Sequence, residues 1–212
     1  MLWYVLQTRT GEEEKMVQMV RQIVPGHLYG ECFVVYHEQL WRRQQQNFVH
    51  ISRAFPGYVF ITSKEPEALF FCLKQFPSMV KLMAADDDSF FLSLEAEEAT
   101  FLEQVMDIHH VIALSYLEMG SNGKVYRVEG PLKSCVSKIV RCRLKKRYVL
   151  VRIKLLGKEK DILLGIILKE DISQGIRYGK VDAPIRYSGM YPTIPIDQRV
   201  SKRKETKPQE CK

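Results

Sequence analysis

After residue 120 the apolar residues stop recurring at helical spacing. They come in short runs instead, KVYRVE, VSKIVRC, YVLVRIKL and DILLGIIL, and Asn122-Gly123 opens the series. The runs are closed by Gly130-Pro131, by the basic turn 143–147 and by Leu156-Gly157-Lys158. Apolar runs of this length between turn residues are strands, and they exclude a helical bundle over this part of the chain. In YVLVRIKL the alternation is clear. Val149, Val151, Ile153 and Leu155 face one way, and Tyr148, Arg152 and Lys154 face the other. Roughly 50 residues of such strands predict a small five-stranded barrel over 121–172.

Upstream the pattern is mixed. LWYVLQT reads as a strand broken by Gly11. EEEKMVQMVRQIV follows as an amphipathic helix with Met16, Val20 and Ile23 on its stripe and Glu12, Glu13 and Glu14 in its first turn. Pro25-Gly26 ends it. ECFVVYHEQLW is a strand, RRQQQN a polar hairpin tip, FVHIS the return and YVFITS another strand. Pro66 starts a second helix that ends before Pro77. Glu95 to Met106 forms a third, with Ser93 as its expected N-cap and Leu94, Phe101, Leu102 and Val105 facing inward. This order predicts an α+β unit over 1–106, an antiparallel sheet covered by helices. Residues 107–120 read as a partly packed linker, and 173–212 as a basic tail expected to be flexible.

The charge divides at the same place. Residues 1–120 carry 9 Lys and Arg against 16 Asp and Glu, whereas 121–212 carry 23 against 9. The basic half suits a polyanion, and the acidic half needs another kind of partner. Seven cations crowd into GPLKSCVSKIVRCRLKKRY without one acid: Lys133, Lys138, Arg141, Arg143, Lys145, Lys146 and Arg147. Solubility and edge protection need two or three. Phosphate neutralisation with counterion release is the better account, and Tyr148 beside Arg152 and Lys154 adds a ring on which an unpaired base can stack. In FPGYVFI, Tyr58 and Phe60 share one face of a strand and Val59 and Ile61 the other, with Phe55 at the entering turn. The aromatic face is either a protein-docking patch or lies beneath a second covering layer.

Other chemistry is weakly represented. His109-His110 lack a ligand-spaced partner, and Asp86-Asp87-Asp88 are consecutive where a calcium loop alternates. No phosphate-binding glycine loop or nucleophile elbow occurs, so neither an enzyme nor a cofactor is expected. Five scattered cysteines with no C-x-x-C pair read as reduced thiols of a cytoplasmic protein. No apolar run reaches the length of a membrane span, and MLWYVLQTRT lacks the layout of a signal peptide.

WYVLQTRTGEEEKMV at 3–17, FPGYVFI at 55–61 and VYRVEGPLK at 125–133, in that order and spacing, resemble the NusG family of transcription elongation factors. The resemblance covers about residues 2–170. It implies an N-terminal NGN-like domain joined to an SH3-like β-barrel carrying the KOW motif. YGECFVVYHEQ, FFLSLEAEEATFLEQ, VIALSYLE, EGPLK and LLGKEKDILLGIILK are similar to a specialised branch, the LoaP-type antiterminators. The resemblance implies a monomer whose N-terminal domain binds the clamp helices of the largest RNA polymerase subunit through Phe55, Tyr58 and Phe60. Trp3 and Tyr4 would support the sheet from within. The basic KOW domain would engage a hairpin in the nascent leader RNA, placing Lys133 to Arg147, Tyr148, Arg152 and Lys154 at that contact. Two features depart from the general NusG pattern. Ser134 and Ser137 stand where glycines follow the Gly-Pro, and Leu155-Leu156-Gly157-Lys158 lacks the aromatic of the ribosome-facing loop. A KOW-barrel RNA-binding protein of the translation apparatus and a general NusG factor are the alternatives.

Overall fold

The computed structural model describes residues 1–43, 46–75, 91–121 and 124–178. β1 (Leu2–Gln7) and β5 (Tyr58–Ser63) pair antiparallel from Leu2 opposite Ser63 to Gln7 opposite Tyr58. β2 (Cys32–Phe33) and β6 (Phe91–Ser93) flank them, in the order β2-β5-β1-β6. α1 (Glu13–Ile23) has two acids in its first turn and Arg21 in its last, matching the helix dipole, and α2 (Pro66–Lys74) begins on proline, whose missing N–H costs nothing there. Met16 and Val20 of α1 and Leu69 and Leu73 of α2 are buried with Tyr4, Leu6, Val59 and Ile61 on one side of this sheet.

The run ECFVVYHEQLW, expected as one strand, is two strands in two sheets. It breaks at Val34 and Val35, which are both buried, Val34 in one core and Val35 in the other. Beyond the break β3 (Tyr36–Arg43) pairs with β4 (Gln46–Arg53). Most of the expected polar tip is therefore paired strand. β7 (Val111–Ile112) adds parallel to β3, and β13 (Ile176–Tyr178) adds parallel to β4. The single antiparallel sheet expected for the N-terminal unit is thus replaced by two four-stranded sheets, the second with parallel edges.

A five-stranded sheet follows, in the order β10-β11-β12-β8-β9. β9 (Val125–Glu129), β11 (Tyr148–Leu155) and β12 (Lys158–Leu168) follow the sequence pattern, and β11 buries Val149, Val151, Ile153 and Leu155 as its alternation requires. VSKIVRC is only partly strand. Two 3₁₀ turns over Pro131–Lys138, meeting at a kink at Cys135, bury Leu132 and Cys135, and β10 (Ile139–Arg143) begins after them. The fifth strand, β8 (Ser115–Met119), comes from the segment read as linker and pairs parallel with β12. The start of the expected tail is likewise held, through α4 (Lys169–Ser173) and β13. Asp86-Asp87-Asp88, the Asn122-Gly123 turn, residues 179–212 and Cys211 lie outside the described residues.

α3 (Ala96–Val105) begins at Glu95, whose N–H donates to Glu98 Oε2 at 3.1 Å, while Ser93 ends β6 instead of capping the helix. Phe101, Leu102 and Val105 of α3 pack in one core with Val5, Phe33 and Phe60 of the N-terminal sheet and with Val149, Val151, Ile153, Leu164 and Ile166 of the C-terminal sheet. The acidic and basic halves therefore share a hydrophobic core.

Candidate protein-docking and nucleic-acid surfaces

The aromatic face of β5 is covered. Phe60 is fully buried and Phe55 is 5 % exposed, with their rings 5.6 Å apart edge to face; Phe33 stacks on Phe60 at 5.9 Å. Trp3 meets Phe33 edge-on at 5.5 Å, on this same face, while Tyr4 stacks on Phe91 at 4.7 Å on the other. Tyr58 is half-buried beneath Lys160, whose Nζ lies 4.0 Å from the ring centroid and donates to the phenolic oxygen. The layer above is α3 with the C-terminal sheet, so of the two arrangements open to this face the structure takes the covered one.

The turn that presents these rings is fixed by residues the sequence did not single out for it. Gly57 has φ +83, and a Cβ there would lie 3.1 Å from the Thr8 carbonyl oxygen. Its N–H donates to Glu13 Oε1 at 2.7 Å, while Gly11 N–H donates to Glu13 Oε2 at 2.7 Å. Arg53 pairs with Glu13 at 3.1 Å and donates twice to Glu14, at 3.0 and 2.6 Å; Tyr36 OH adds a bond to Glu14 at 2.5 Å. Burial pushes the Glu14 carboxyl up, but the Arg53 and Tyr36 bonds outweigh it and hold its pKa below the ordinary value. The acids at the head of α1 thus serve as turn clamps as well as dipole partners.

Polar contacts stitch the two halves around the shared core. Lys154 Nζ donates to both Glu95 oxygens at 2.9 Å, Gly157 N–H donates to Glu98 Oε1 at 3.2 Å, and Lys138 Nζ stands 5.0 Å from the Phe101 ring centroid. At the hairpin, buried His37 donates from Nδ1 to the Leu163 carbonyl at 2.9 Å. Next to it Gly165 of β12 lies against β3 so closely that a Cβ would sit 2.2 Å from the Glu38 carbonyl oxygen.

The cations of the basic run have different surroundings. Lys133, Lys138, Arg141, Arg143, Lys145 and Lys146 are exposed and have no ion-pair partner among the described residues. They follow the 3₁₀ segment, the edge strand β10 and the turn after it. Arg147 differs: it is 3 % exposed, has φ +56, and pairs with Asp171 at 2.6 and 2.9 Å and with Glu170. Burial works against its charge, yet these carboxylates hold its pKa above the ordinary value. The expectation of seven unpaired cations is therefore corrected to six, because the acids that neutralise Arg147 stand 23 and 24 residues downstream, outside the run. Arg152 and Lys154 are exposed but paired, with Asp161 at 2.8 Å and with Glu95 at 2.9 Å, and Tyr148 is half-buried. Among the described residues two ion pairs join the halves, Lys154 with Glu95 at 2.9 Å and Arg42 with Glu170 at 4.0 Å.

Among the described residues no group of three or more His, Cys, Asp or Glu could hold a metal ion. His110 stacks on Phe33 at 3.6 Å and lies 3.3 Å from Glu31. Cys32, Cys72, Cys135 and Cys142 are free, and burial pushes Cys32 up to about 12 and Cys135 to about 11, which makes both poor nucleophiles at neutral pH. Among the described residues no helix is long and apolar enough to cross a membrane.

Residues 1–103 match the family model described as NusG, transcription termination factor nusG, which supports the NusG reading for this part of the chain. Among solved structures, one described as domain interaction in Thermotoga maritima NusG is similar at 13 % identity and a TM-score of 0.39, over 77 % of this chain and 93 % of that one. No curated protein matches the sequence.

Proposed function

We propose that this chain, whose residues 1–103 match the NusG family, is a non-catalytic transcription elongation regulator that docks on RNA polymerase and promotes processive antitermination. The family match over the acidic N-terminal half carries the reading. In it, Phe55, Tyr58 and Phe60 meet the clamp helices of the largest polymerase subunit, and the basic C-terminal unit, as a KOW domain, holds the nascent RNA, with a leader hairpin as its target. The six unpaired cations support the second contact, since each phosphate they neutralise releases counterions. The excess of positive charge and the runs shared with LoaP-type proteins favour a specialised factor over a general one. The chain acts in the cytoplasm, as a monomer, wherever polymerase is transcribing.

Because Phe55 and Phe60 are buried beneath α3 and the C-terminal sheet, the reading requires a second arrangement in which that sheet has moved away. Polymerase would then select the open form, and a differential affinity of about 1.4 kcal/mol shifts the open-to-closed ratio tenfold. Ala113 and Leu114, between β7 on the hairpin and β8 on the C-terminal sheet, are the natural hinge.

A pull-down with core RNA polymerase tests this. Gly165→Ala forces a Cβ against the Glu38 carbonyl and wedges the halves apart without touching the aromatic face. It should capture more polymerase than the native chain. Glu95→Lys should act in the same direction, and adding Lys154→Glu should reverse its effect by restoring the pair. If neither the native chain nor the wedged variant retains polymerase, the reading is wrong.

A further inference from the structure

Where the two halves meet at the hairpin they leave a cleft of about 230 Å³, lined by Gln39, Leu40 and Trp41 from β3 and by Lys146, Arg147, Tyr148 and Leu163 from the C-terminal sheet. Trp41 is 54 % exposed, unusual for the largest side chain on a strand that is otherwise mostly buried. One side of its indole stacks on His50 at 4.2 Å, and its Nε1–H donates to Gln39 Oε1 at 3.3 Å. The ring is therefore held in place while part of its surface stays open to solvent. Tyr148 contributes a second aromatic wall. Arg147, neutralised by Asp171 and Glu170, is structural here, and among the described lining residues Lys146 is the cation without an ion-pair partner, with Lys145 and Arg143 next along the chain.

We infer that this cleft is a stacking site for one unpaired base of the RNA strand, with Trp41 and Tyr148 as its aromatic walls and Lys146 at the adjacent phosphate. Exposed rings beside uncompensated cations are the means by which proteins hold single-stranded nucleic acid, because every base offers a π face and every linkage a charge. The volume lies below the range of roughly 300–1,000 Å³ usual for drug-sized ligands, and suits one flat ring better than a whole cofactor. The inference rests on the RNA-binding reading above and adds a site within it. It also makes RNA an effector of the fold. The walls come from different halves, so a base in the cleft favours the closed arrangement and by linkage opposes the open form that polymerase selects; once the halves part, the RNA contact passes to the basic run.

Tryptophan fluorescence gives the test, because the chain has two tryptophans and the other, Trp3, is half-buried against Phe33. In a Trp3→Phe chain, titration with an unstructured single-stranded RNA decamer should quench the remaining indole. Heparin, a polyanion without bases, should bind without quenching. Trp41→Ala should weaken the decamer roughly 5- to 150-fold, the range for one base–aromatic stack, while Trp41→Phe retains most of the affinity. Gly165→Ala should diminish the quench by parting the walls, yet leave binding to the basic run measurable by anisotropy. RNA that binds by anisotropy without quenching Trp41 would overturn the cleft and leave the basic run standing. No binding by either signal would overturn both. Stronger quenching by the DNA decamer of the same sequence would overturn the assignment to RNA.

Discussion

His37 makes the closed arrangement sensitive to acid. Its imidazole is buried on β3, with Nδ1 2.9 Å from the Leu163 carbonyl, which can only accept, so the proton of the neutral ring sits on Nδ1. Nε2 then accepts from Ser52 Oγ at 2.8 Å and from Gln39 Nε2 at 2.6 Å. A second proton on Nε2 would face the Gln39 amide, itself a donor, and would require the Ser52 hydroxyl to turn and accept. Burial accordingly lowers the pKa from 6.5 to about 4, the Leu163 bond offsets part of that, and nearby His50 adds to it. Between those two values the unfolded chain binds the proton that the folded chain refuses. The stabilisation is thus fully present above pH 6.5, falls as the pH drops through that window, and is exhausted below 4. The full span corresponds to about 3 kcal/mol, of which about 2 kcal/mol is gone by pH 5. Urea unfolding of the native chain and of His37→Gln at pH 7.5, 6, 5 and 4.5 separates this from other titrating groups, His110 and the carboxylates included, because those are common to both. The native chain should lose about 2 kcal/mol more than the variant between pH 7.5 and 5. Parallel profiles would mean that burial does not hold His37 neutral.

Three further outcomes are expected. Arg147→Met strips the partner from the buried Asp171 carboxylate and should cost about 3–5 kcal/mol in chemical denaturation, whereas Arg147→Met with Asp171→Leu should recover much of the loss. Charge reversal at Arg141, Arg143 and Lys145 should leave the melting temperature nearly unchanged. It should also lower the slope of log affinity against log salt for single-stranded RNA by roughly two, and an unchanged slope would move the phosphate contacts elsewhere. Phe60→Ala opens a cavity in the core shared by both halves and should cost about 3–5 kcal/mol, so loss of polymerase binding in that variant would report unfolding; Tyr58→Ala, at a half-buried ring, is the variant suited to the docking assay.

Much of the local structure was legible because it depends on neighbours in the chain. The period of MVQMVRQIV, the alternation of YVLVRIKL and the proline that opens α2 each specify an element from local sequence, and α1, β11 and α2 fall where those signals put them. The halving of charge at residue 120 needed only counting. What spacing cannot reveal is the partner across a fold. ECFVVYHEQLW carries no mark of the point where it leaves one sheet for another, because consecutive valines suit both cores equally. Ser115–Met119 looked like linker because a two-sided environment for it exists only once β12 lies alongside.

The candidate sites divide in the same way. Sequence by itself determined that one strand face would carry Tyr58 and Phe60 and that the basic run would contain no acid. Tertiary structure alone decided that the aromatic face lies beneath α3 and the C-terminal sheet, that Arg147 is spent on Asp171, and that Trp41 and Tyr148 line one cleft. The reason is range. Backbone periodicity acts over a few residues, whereas burial and ion pairing are settled by groups that closure of the chain brings together from distant positions, and no spacing rule spans that distance.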